Sequence, residues 1–249
     1  MSVARRIALR VGAGICGVLG GLWLLGLGVP AEPPPVWRAA AAGIERAELA
    51  SAGRPVHAFR ITLGPAQLRL IAAGAPGERR PVAAIAAPFA QAVATNASFF
   101  DDRGRAMGAA VDQGRDSGQR IIKPWGALVV EGTSARIALG SELVPGAVPT
   151  LVVQGTPRLL IKGELVKLKP QTAARTAVCA QGDKVLLVVT EPLEATALAL
   201  LLRDRLGCKD ALNLDGGPST QLMARLGGLR AEVPGGWGVP NALIALPGS

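Results

Sequence analysis

Residues 210–220 read Asp210-Ala211-Leu212-Asn213-Leu214-Asp215-Gly216-Gly217-Pro218-Ser219-Thr220. Alternate side chains of a strand share a face, so we expect Leu212 and Leu214 on one side and Asn213 and Asp215 on the other. The two glycines that follow allow backbone conformations closed to other residues and let a ligand approach the main chain. The pattern predicts a buried strand that ends in a glycine turn carrying one carboxylate.

The end of this stretch adds hydrogen-bond donors beside the carboxylate. Ser219 and Thr220 supply hydroxyls, and Pro218 favours the start of a helical turn, where free N–H groups attract an anion. The simplest alternative is an ordinary Asp-Gly-Gly turn with a solvated carboxylate. Features elsewhere in the sequence are needed to distinguish a binding site from an ordinary turn.

The chain has 249 residues, 49% of them hydrophobic, which is enough for one core preceded by a leader. Three arginines precede residues 11–29, which carry no charge, as in a signal peptide or a single membrane anchor. We therefore expect a leader at 1–31, a linker rich in Pro and Ala at 32–42, and one domain at 43–249. The arginines predict export of the domain to the periplasmic side, with residues 7–29 as an inner-membrane anchor if the leader is not cleaved.

The net charge is +9, of which the leader arginines contribute three, leaving +6 for the exported part. A basic domain favours anionic partners, such as a phosphate-linked glycan, a nucleotide-sugar-like molecule or the membrane surface. Nucleic acid is the least favoured, because aromatic residues make up 3% of the chain and the arginines are scattered. Cys179 and Cys208 follow the leader, and in an oxidising compartment they either pair or remain buried thiols.

The remaining pattern is one of short strands joined by tight turns. We expect an α+β fold in which a mainly antiparallel or mixed sheet carries a few packed helices. A short helix is predicted at 81–90, and a longer one at 194–206, where leucines recur at helical spacing before Gly207. The predicted strands are 43–50, 56–63, 67–72, 91–95, 108–111, a hairpin over 127–139, two strands joined by a Gly-x-Pro kink over 150–161, and 174–179, 184–190 and 241–246.

Four further polar residues lie where strands end. Asn96 and Asp101 flank a pair of phenylalanines in a polar turn, which is also what a hydrophobically anchored loop looks like. Gln154 ends a buried strand beside a glycine, where it either lines a site or satisfies a kinked backbone. Arg175, at a strand mouth, is a candidate for binding phosphate through a bidentate fork, with a salt bridge as the alternative.

Several common catalytic motifs are absent from the sequence. It contains no Gly-x-x-x-x-Gly-Lys, Cys-x-x-Cys, His-Glu-x-x-His or Gly-x-Ser-x-Gly pattern, which argues against the usual nucleotide, zinc and serine-hydrolase sites. There is no tyrosine, and the single histidine, His57, has no partner motif. Acid and base chemistry therefore falls to Asp or Glu.

Five segments resemble the phosphodiester glycosidase family in order and spacing, over about residues 90–246. The sequence departs from the family pattern at Ser98, Trp125 and Pro218, which bears on the substrate more than on the fold. The segments are Asn-Ala-Ser-Phe-Phe-Asp at 96–101, Lys-Pro-Trp-Gly at 123–126, Gln-Gly-Thr-Pro-Arg-Leu at 154–159, Arg-Thr-Ala-Val at 175–178, and Leu-Gly-Cys-Lys-Asp-Ala-Leu-Asn-Leu-Asp-Gly-Gly at 206–217.

The resemblance implies hydrolysis of a sugar-1-phosphodiester at the glycosidic C–O bond. In that case Asp215 is the base or stabilising carboxylate, Asp101 the second carboxylate, and Arg175 the phosphate ligand. The residues expected to orient substrate are Asn96, Gln154, Asn213, Gly216, Gly217, Ser219 and Thr220.

Two other functions stay open from the sequence. One is a non-catalytic envelope protein that binds glycans or assists exopolysaccharide assembly through the same pocket. The other is a phosphodiesterase that cleaves the P–O bond with Asp101, Asp102 and Asp215 on Ca²⁺ or Mg²⁺. No cofactor is expected for the glycosidase, while a requirement for either cation is left open.

Overall fold

The computed structural model describes residues 34–51, 53–144 and 149–248. The predicted leader at 1–31 lies outside the described residues. Within them, no helix is long and apolar enough to cross a membrane. The first strand, Arg38–Ala41, lies in the stretch predicted as linker and pairs with the strand that follows it.

Strands are the main regular structure of the described chain, with two short α-helices. Helix α1 is Val82–Ile85, and α2 is Ala195–Leu200, which runs on into one π-helical turn at Leu201–Arg205. The strands are β1 Arg38–Ala41, β2 Ile44–Ser51, β3 Arg54–Thr62, β4 Ala66–Ala72, β5 Ala92–Asn96, β6 Ala110–Asp112, β7 Arg115–Asp116, β8 Gly126–Glu131, β9 Ser134–Leu139, β10 Leu151–Gly155, β11 Arg158–Ile161, β12 Glu164–Leu165, β13 Thr172–Gln181, β14 Lys184–Glu194, β15 Ala211–Asn213, β16 Leu222–Leu226, β17 Leu229–Val233 and β18 Asn241–Pro247.

These strands form three sheets rather than one. The largest has the order β1-β2-β3-β14-β13-β15-β11-β12, and the two five-stranded sheets have the orders β7-β6-β10-β8-β9 and β17-β16-β5-β18-β4. Every strand ladder among the described residues is antiparallel, as in β13 with β14 and β18 with β5. The antiparallel part of the prediction is confirmed, and the parallel pairing of a mixed sheet is found in none of these ladders.

One core is shared by all three sheets. Phe59 of the first sheet, Leu128 of the second and Leu243 of the third are fully buried in the same cluster. The opposite face of the first sheet is covered by α2 and its π turn, which pack Leu198 and Leu202 against it. A central strand such as β14 is therefore apolar on both faces, which explains its unbroken run of Val and Leu.

The predicted α+β class overstates the helical share, because the fold is mostly β. The helix expected at 81–90 is helical only at Val82–Ile85, since Pro88 lies ahead and disfavours a helical residue before it. The helix expected at 194–206 is present as α2 and its π turn. Helix α1 packs on the outer face of the third sheet, where Val82 and Ile85 are buried in one cluster with Ile244.

Cys179 and Cys208 form a disulfide, the first of the two alternatives left by the sequence. Cys179 lies in β13 and Cys208 follows the π turn, so the bond ties the end of the helix to the centre of the sheet. Closing a loop of this length removes about 3–4 kcal/mol of chain entropy from the unfolded state in the simplest treatment. Both cysteines are buried among the residues that α2 covers.

Candidate active site

Asp215 lies where the chain crosses from the first sheet to the third. The amide of Leu214 donates to the carbonyl of Thr176 in β13 at 2.9 Å, and the amide of Asp215 donates to the carbonyl of Ala97, just after β5, at 3.1 Å. Asp215 itself is only partly buried, so its carboxylate is held by two sheets and remains accessible.

The two glycines after Asp215 meet different requirements. A Cβ at Gly216 would lie 2.9 Å from the carbonyl oxygen of Ala174 and 4.0 Å from the Cα of Arg175, so only glycine lets the turn lie against β13. Gly217 has φ of +61° and open space around it, so it is required by backbone conformation instead. Together they bring the Asp215 turn against the strand that carries Arg175.

Burial raises the pKa of the Asp215 carboxyl above its ordinary value of 3.8. Hydrogen bonds from the Ser219 side chain and from the amide of Gly216, the latter at 2.9 Å, act in the opposite direction by stabilising the carboxylate. The outcome is a partly buried carboxyl group with a fixed orientation and an increased affinity for a proton. These are the properties that a general base requires.

The side chain of Asn96 holds this turn through hydrogen bonds. Its Nδ2 donates to the carbonyl oxygen of Asp215 at 2.7 Å, while its Oδ1 accepts from the Thr176 hydroxyl at 2.6 Å and from the Gln221 amide at 3.0 Å. The side chain is fully buried. Asn96, expected to orient substrate, is therefore placed to position Asp215 and its neighbours.

Arg175 is a buried cation without an internal counter-ion. One guanidinium nitrogen donates to the carbonyl of Gln171 at 2.6 Å, Nε has no acceptor, and no carboxylate of the described chain forms a salt bridge with it. Burial lowers the pKa of this guanidinium. Because buried charges in proteins are normally paired, an unpaired one indicates an anion supplied from outside.

Three buried oxygens around the turn also lack partners within the described residues. Thr190 Oγ1 belongs to the residue that faces Arg175 across the β13–β14 ladder. Asn213 donates from Nδ2 to the carbonyls of Thr156 and Leu214, which leaves its Oδ1 unused, and Thr220 Oγ1 is unused as well. Such orphan groups are rare in folded proteins, so their concentration here marks a place for ligand or water.

Asp101 is held by its own loop and by Gln119, whose Nε2 donates to Oδ2 at 3.2 Å. Its Oδ1 accepts from the amides of Arg103 and Arg105, and its Oδ2 forms an ion pair with the Arg105 side chain at 2.8 Å. The backbone amide of Arg105 is the largest cause of a lowered pKa for this carboxyl. A carboxylate held ionised in this way closes a loop and is a poor proton donor.

Gln154 is likewise occupied by backbone groups. Its Oε1 accepts from the amides of Ala109 and Ile122, both at 2.9 Å, and its Nε2 donates to the carbonyl of Ile122 at 2.9 Å. The residue is fully buried. The structure thus places Gln154 as a brace between two loops.

The metal site of the phosphodiesterase alternative needs three carboxylates in one place. In the part of the chain that the structure describes, no three His, Cys, Asp or Glu side chains come together in a group able to hold a metal ion. Asp101, Asp102 and Asp215 thus form no such group, and the carboxylate of Asp101 is already satisfied.

The sequence matches the profile of the phosphodiester glycosidase family over residues 82–246. The chain belongs to this family. Members of the family are hydrolases acting on glycosyl phosphodiesters, and the match contains Asp215, Arg175 and Asn96. It begins at α1, although β3 and β4 complete two of the sheets by pairing with β14 and β18. No curated protein sequence matches the chain significantly.

Solved structures share the fold of this glycosidase domain at low identity. A hypothetical protein from Synechocystis matches with a TM-score of 0.60 and 19% identity, over 86% of this chain and 64% of its own, so the chain spans less than two thirds of that protein. The zebrafish N-acetylglucosamine-1-phosphodiester alpha-N-acetylglucosaminidase catalytic domain, auto-inhibited by its pro-peptide, matches with 0.59 and 16%, over 89% and 85%. A putative exported protein from Burkholderia pseudomallei matches with 0.52 and 14%, over 84% and 76%.

Four polar residues near the Asp215 turn were not singled out from the sequence. Thr176 and Thr190 are each a single polar residue that ends or interrupts an apolar run. That position was the only signal in the sequence that either residue has a special role. Gln221 accepts from the amide of Val82 at 2.8 Å and donates to the carbonyl of Trp237 at 2.7 Å. Asn241 accepts from the amide of Ser98 and donates to its hydroxyl, both at 3.0 Å. Asn241 was predicted only as the first residue of a strand, and no prediction covered Gln221.

Proposed function

We propose that this protein hydrolyses the glycosidic C–O bond of a sugar-1-phosphodiester, with Asp215 as the working carboxylate and Arg175 as the phosphate ligand. One observation carries the proposal. The partly buried carboxyl of Asp215, whose pKa is raised, lies on a turn next to the strand of Arg175, a buried arginine with no carboxylate partner among the described residues. At Gly216 the Asp215 turn lies against the backbone of Ala174 and Arg175, with no room for a Cβ beside the Ala174 carbonyl.

The chemistry divides naturally between these two groups. Water attacks the anomeric carbon while the Asp215 carboxylate accepts its proton or stabilises the oxocarbenium-like centre. The bond between that carbon and the phosphate oxygen breaks, and its electron pair leaves with the phosphate. The product phosphomonoester is a good leaving group, so a strong general acid is not needed. Arg175 stabilises the charge that gathers on the phosphate.

The surrounding groups complete the proposed site. The Ser219 hydroxyl orients Asp215, and the unused hydroxyls of Thr190 and Thr220 and the unused oxygen of Asn213 provide polar contacts for substrate. Gly216 and Gly217 keep the turn free of side chains. Asn96 acts by positioning the backbone of Asp215. No step of this mechanism is assigned to a metal ion.

We place the enzyme in the cell envelope, where phosphate-linked glycans and nucleotide-sugar-like molecules are the expected substrates. The disulfide between Cys179 and Cys208 supports an oxidising compartment. The charge pattern of the first 31 residues supports export.

Turnover of a simple diester tests the proposal. The purified full-length chain is incubated with the methyl-phosphate diester of N-acetylglucosamine, beside the Asp215→Asn variant. Asp183→Asn, in the exposed β13–β14 turn, is the matched control. We expect hydrolysis by the wild type and by Asp183→Asn, and loss of activity of about 10²–10⁴-fold in Asp215→Asn. Full activity of Asp215→Asn would refute the assignment, and absence of turnover in all three would leave a glycan-binding protein.

A further inference from the structure

Gln221 follows the Asp215 turn in the chain and lies buried between several segments of the fold. The residue is 2% exposed, so each polar atom of its side chain needs a partner inside the protein. Its Oε1 accepts from the amide of Val82, the first residue of α1, at 2.8 Å, and its Nε2 donates to the carbonyl of Trp237 at 2.7 Å. Because an amide group has one acceptor end and one donor end, these two contacts fix its orientation.

The same residue also holds the backbone beside Ser219. Its Nε2 donates to the carbonyl oxygen of Ser219 at 3.4 Å, and its main-chain amide donates to Asn96 Oδ1 at 3.0 Å. Ser219 is itself 1% exposed, and its hydroxyl forms a hydrogen bond with the Asp215 carboxylate. Gln221 therefore fixes the segment from which the Ser219 hydroxyl reaches Asp215.

The loop between β17 and β18 packs directly on Gln221. The amide of Gly236 in this loop donates to the carbonyl of Pro218, in the Asp215 turn, at 2.7 Å. Gly235 has φ of +65°, and a Cβ at this position would lie 2.5 Å from Gln221 Cγ. A Cβ at Gly236 would come no nearer than 3.6 Å to Pro218, which is ordinary contact. The loop and the turn are thus in contact, with the Gln221 side chain between them.

We propose that Gln221 is a positioning residue that holds the Ser219 hydroxyl against the Asp215 carboxylate. A hydroxyl can rotate toward any acceptor in reach, so its hydrogen bond to Asp215 depends on where the backbone of Ser219 is held. Gln221 is too buried to contact a substrate and acts on the carboxylate only through its neighbours. The inference rests on the proposed function for its effect on catalysis, while the hydrogen bond itself can be tested without substrate.

The hydrogen bond from Ser219 stabilises the ionised carboxyl, so it keeps the pKa of Asp215 below the value that burial alone would produce. When Gln221 no longer holds Ser219, this hydrogen bond weakens and the pKa of Asp215 rises further. Replacing a residue with a purely structural role would lower the melting temperature and leave that pKa unchanged. The titration of Asp215 therefore separates the two roles, whereas a measurement of stability does not.

The test titrates the full-length chain with carbon-13 in its aspartate carboxyls by NMR, and the resonance that is lost in Asp215→Asn identifies Asp215. Gln221→Met keeps the length of the side chain and removes its hydrogen bonds, so we expect the Asp215 midpoint to move to higher pH. Gly235→Ala displaces Gln221 and should move the midpoint in the same direction, and it carries the test if Gln221→Met does not fold.

Two control variants should leave the midpoint unchanged. Gly236→Ala alters the same loop but has room for its Cβ, so it leaves Gln221 in place. Leu198→Ala removes buried contacts of α2 on the opposite face of the first sheet and lowers the melting temperature without reaching the turn. A shift of the same size in either control would show that the midpoint follows general loosening of the fold, and would refute the proposal.

A double variant tests whether Gln221 acts through Ser219. If it does, Ser219→Ala combined with Gln221→Met should titrate at the midpoint of Ser219→Ala alone, because residues that act as a unit are not additive. On the acid side of the rate profile, Gln221→Met should lose about threefold to tenfold more kcat/KM than at pH 8, since less of Asp215 is ionised there. An additive shift in the double variant would refute the route through Ser219.

The titration and the kinetics together separate this inference from the proposed function. If the wild type does not hydrolyse the methyl-phosphate diester of N-acetylglucosamine, yet the midpoint rises in Gln221→Met and Gly235→Ala, the positioning role stands and the enzymatic assignment falls. If turnover is present but the midpoint of both variants stays at the wild-type value, the assignment stands and the positioning role is refuted.

Discussion

The buried side chain of Asn96 donates to the backbone carbonyl of Asp215 at 2.7 Å. The same amide group accepts from Thr176 of the first sheet and from Gln221 at the start of β16 in the third. Three segments that are distant in sequence thus meet at one side chain. The position of the working carboxylate therefore depends on a residue that has no need to touch substrate.

Replacing Asn96 with alanine should uncouple these segments. Three backbone or hydroxyl groups lose their partner, and each unsatisfied buried group costs about 1–3 kcal/mol. We expect the free energy of unfolding to fall by about 2–4 kcal/mol and kcat to fall more than KM rises. Denaturant unfolding and steady-state kinetics measure both. Gln181→Ala, which removes one exposed hydrogen bond to Gly207, is the control, and an equal loss in that variant would contradict the role of Asn96.

The raised pKa of Asp215 makes stability and activity respond to pH in opposite ways. A carboxyl whose folded pKa lies above its unfolded value contributes stability that is fully present below the unfolded value and is lost as pH rises through the folded pKa. Asp215→Asn removes this cost, so we expect it to melt at a higher temperature than the wild type at pH 7. The difference should disappear below pH 3.8, the ordinary pKa of Asp.

The wild-type kcat/KM should fall on acidification through a pKa above 3.8, because protonated Asp215 cannot act as a base. The rate profile and the melting curves of the two proteins report the same group. Two results together would show that Asp215 is an ordinary turn residue: an Asp215→Asn variant that melts below the wild type at neutral pH, and a wild-type kcat/KM that does not fall on acidification.

Replacing Arg175 with methionine should weaken phosphate binding without weakening the fold. The wild type buries this cation without a carboxylate partner among the residues that the structure describes, so an apolar side chain of similar length removes a desolvation cost. Inorganic phosphate at a hundred times its Kd should stabilise the wild type by about 2.7 kcal/mol and so raise its melting temperature. The melting temperature of Arg175→Met should not change when phosphate is added. A phosphate shift of the same size in both proteins would remove Arg175 from the site.

The two glycines of the turn offer a matched pair of substitutions. Alanine at position 216 places its Cβ 2.9 Å from the carbonyl of Ala174, so the turn has to move away from β13. Alanine at position 217 has room but takes a left-handed conformation, at a cost of about 1–2 kcal/mol. We expect Gly216→Ala to lower kcat/KM at least tenfold and Gly217→Ala to act mainly on the melting temperature. The reverse order would contradict this account of the turn.

Local patterns in the sequence predicted most of the strands, the helix before Gly207 and the glycine turn, but they did not predict β1, β7, β12, β16 or β17. They could not predict the hydrogen-bond partners of particular polar side chains, because those partners are backbone groups distant in sequence. Gln154 is occupied by Ala109 and Ile122, which lie 45 and 32 residues away in sequence. Asp101 differs, because the amides of Arg103 and Arg105 that hold it were within reach of a turn analysis.

The division into three sheets was also beyond the sequence pattern. Alternation shows which residues share a face, but the partner of each strand is set by packing in the common core. Thr190 is an example, because its position opposite Arg175 follows from the register of β13 with β14. From the sequence alone it is one polar residue at the end of an apolar run.

The position of the bond that breaks is the central claim, and isotope-labelled water tests it most directly. The full-length chain hydrolyses the methyl-phosphate diester of N-acetylglucosamine in water enriched in oxygen-18, with EDTA present in a parallel sample, and the products are weighed by mass spectrometry. We predict label in the free sugar, none in the methyl phosphate, and the same rate with EDTA. Label in a phosphate product would contradict the account, and together with loss of turnover in EDTA it would indicate a metal-dependent phosphodiesterase.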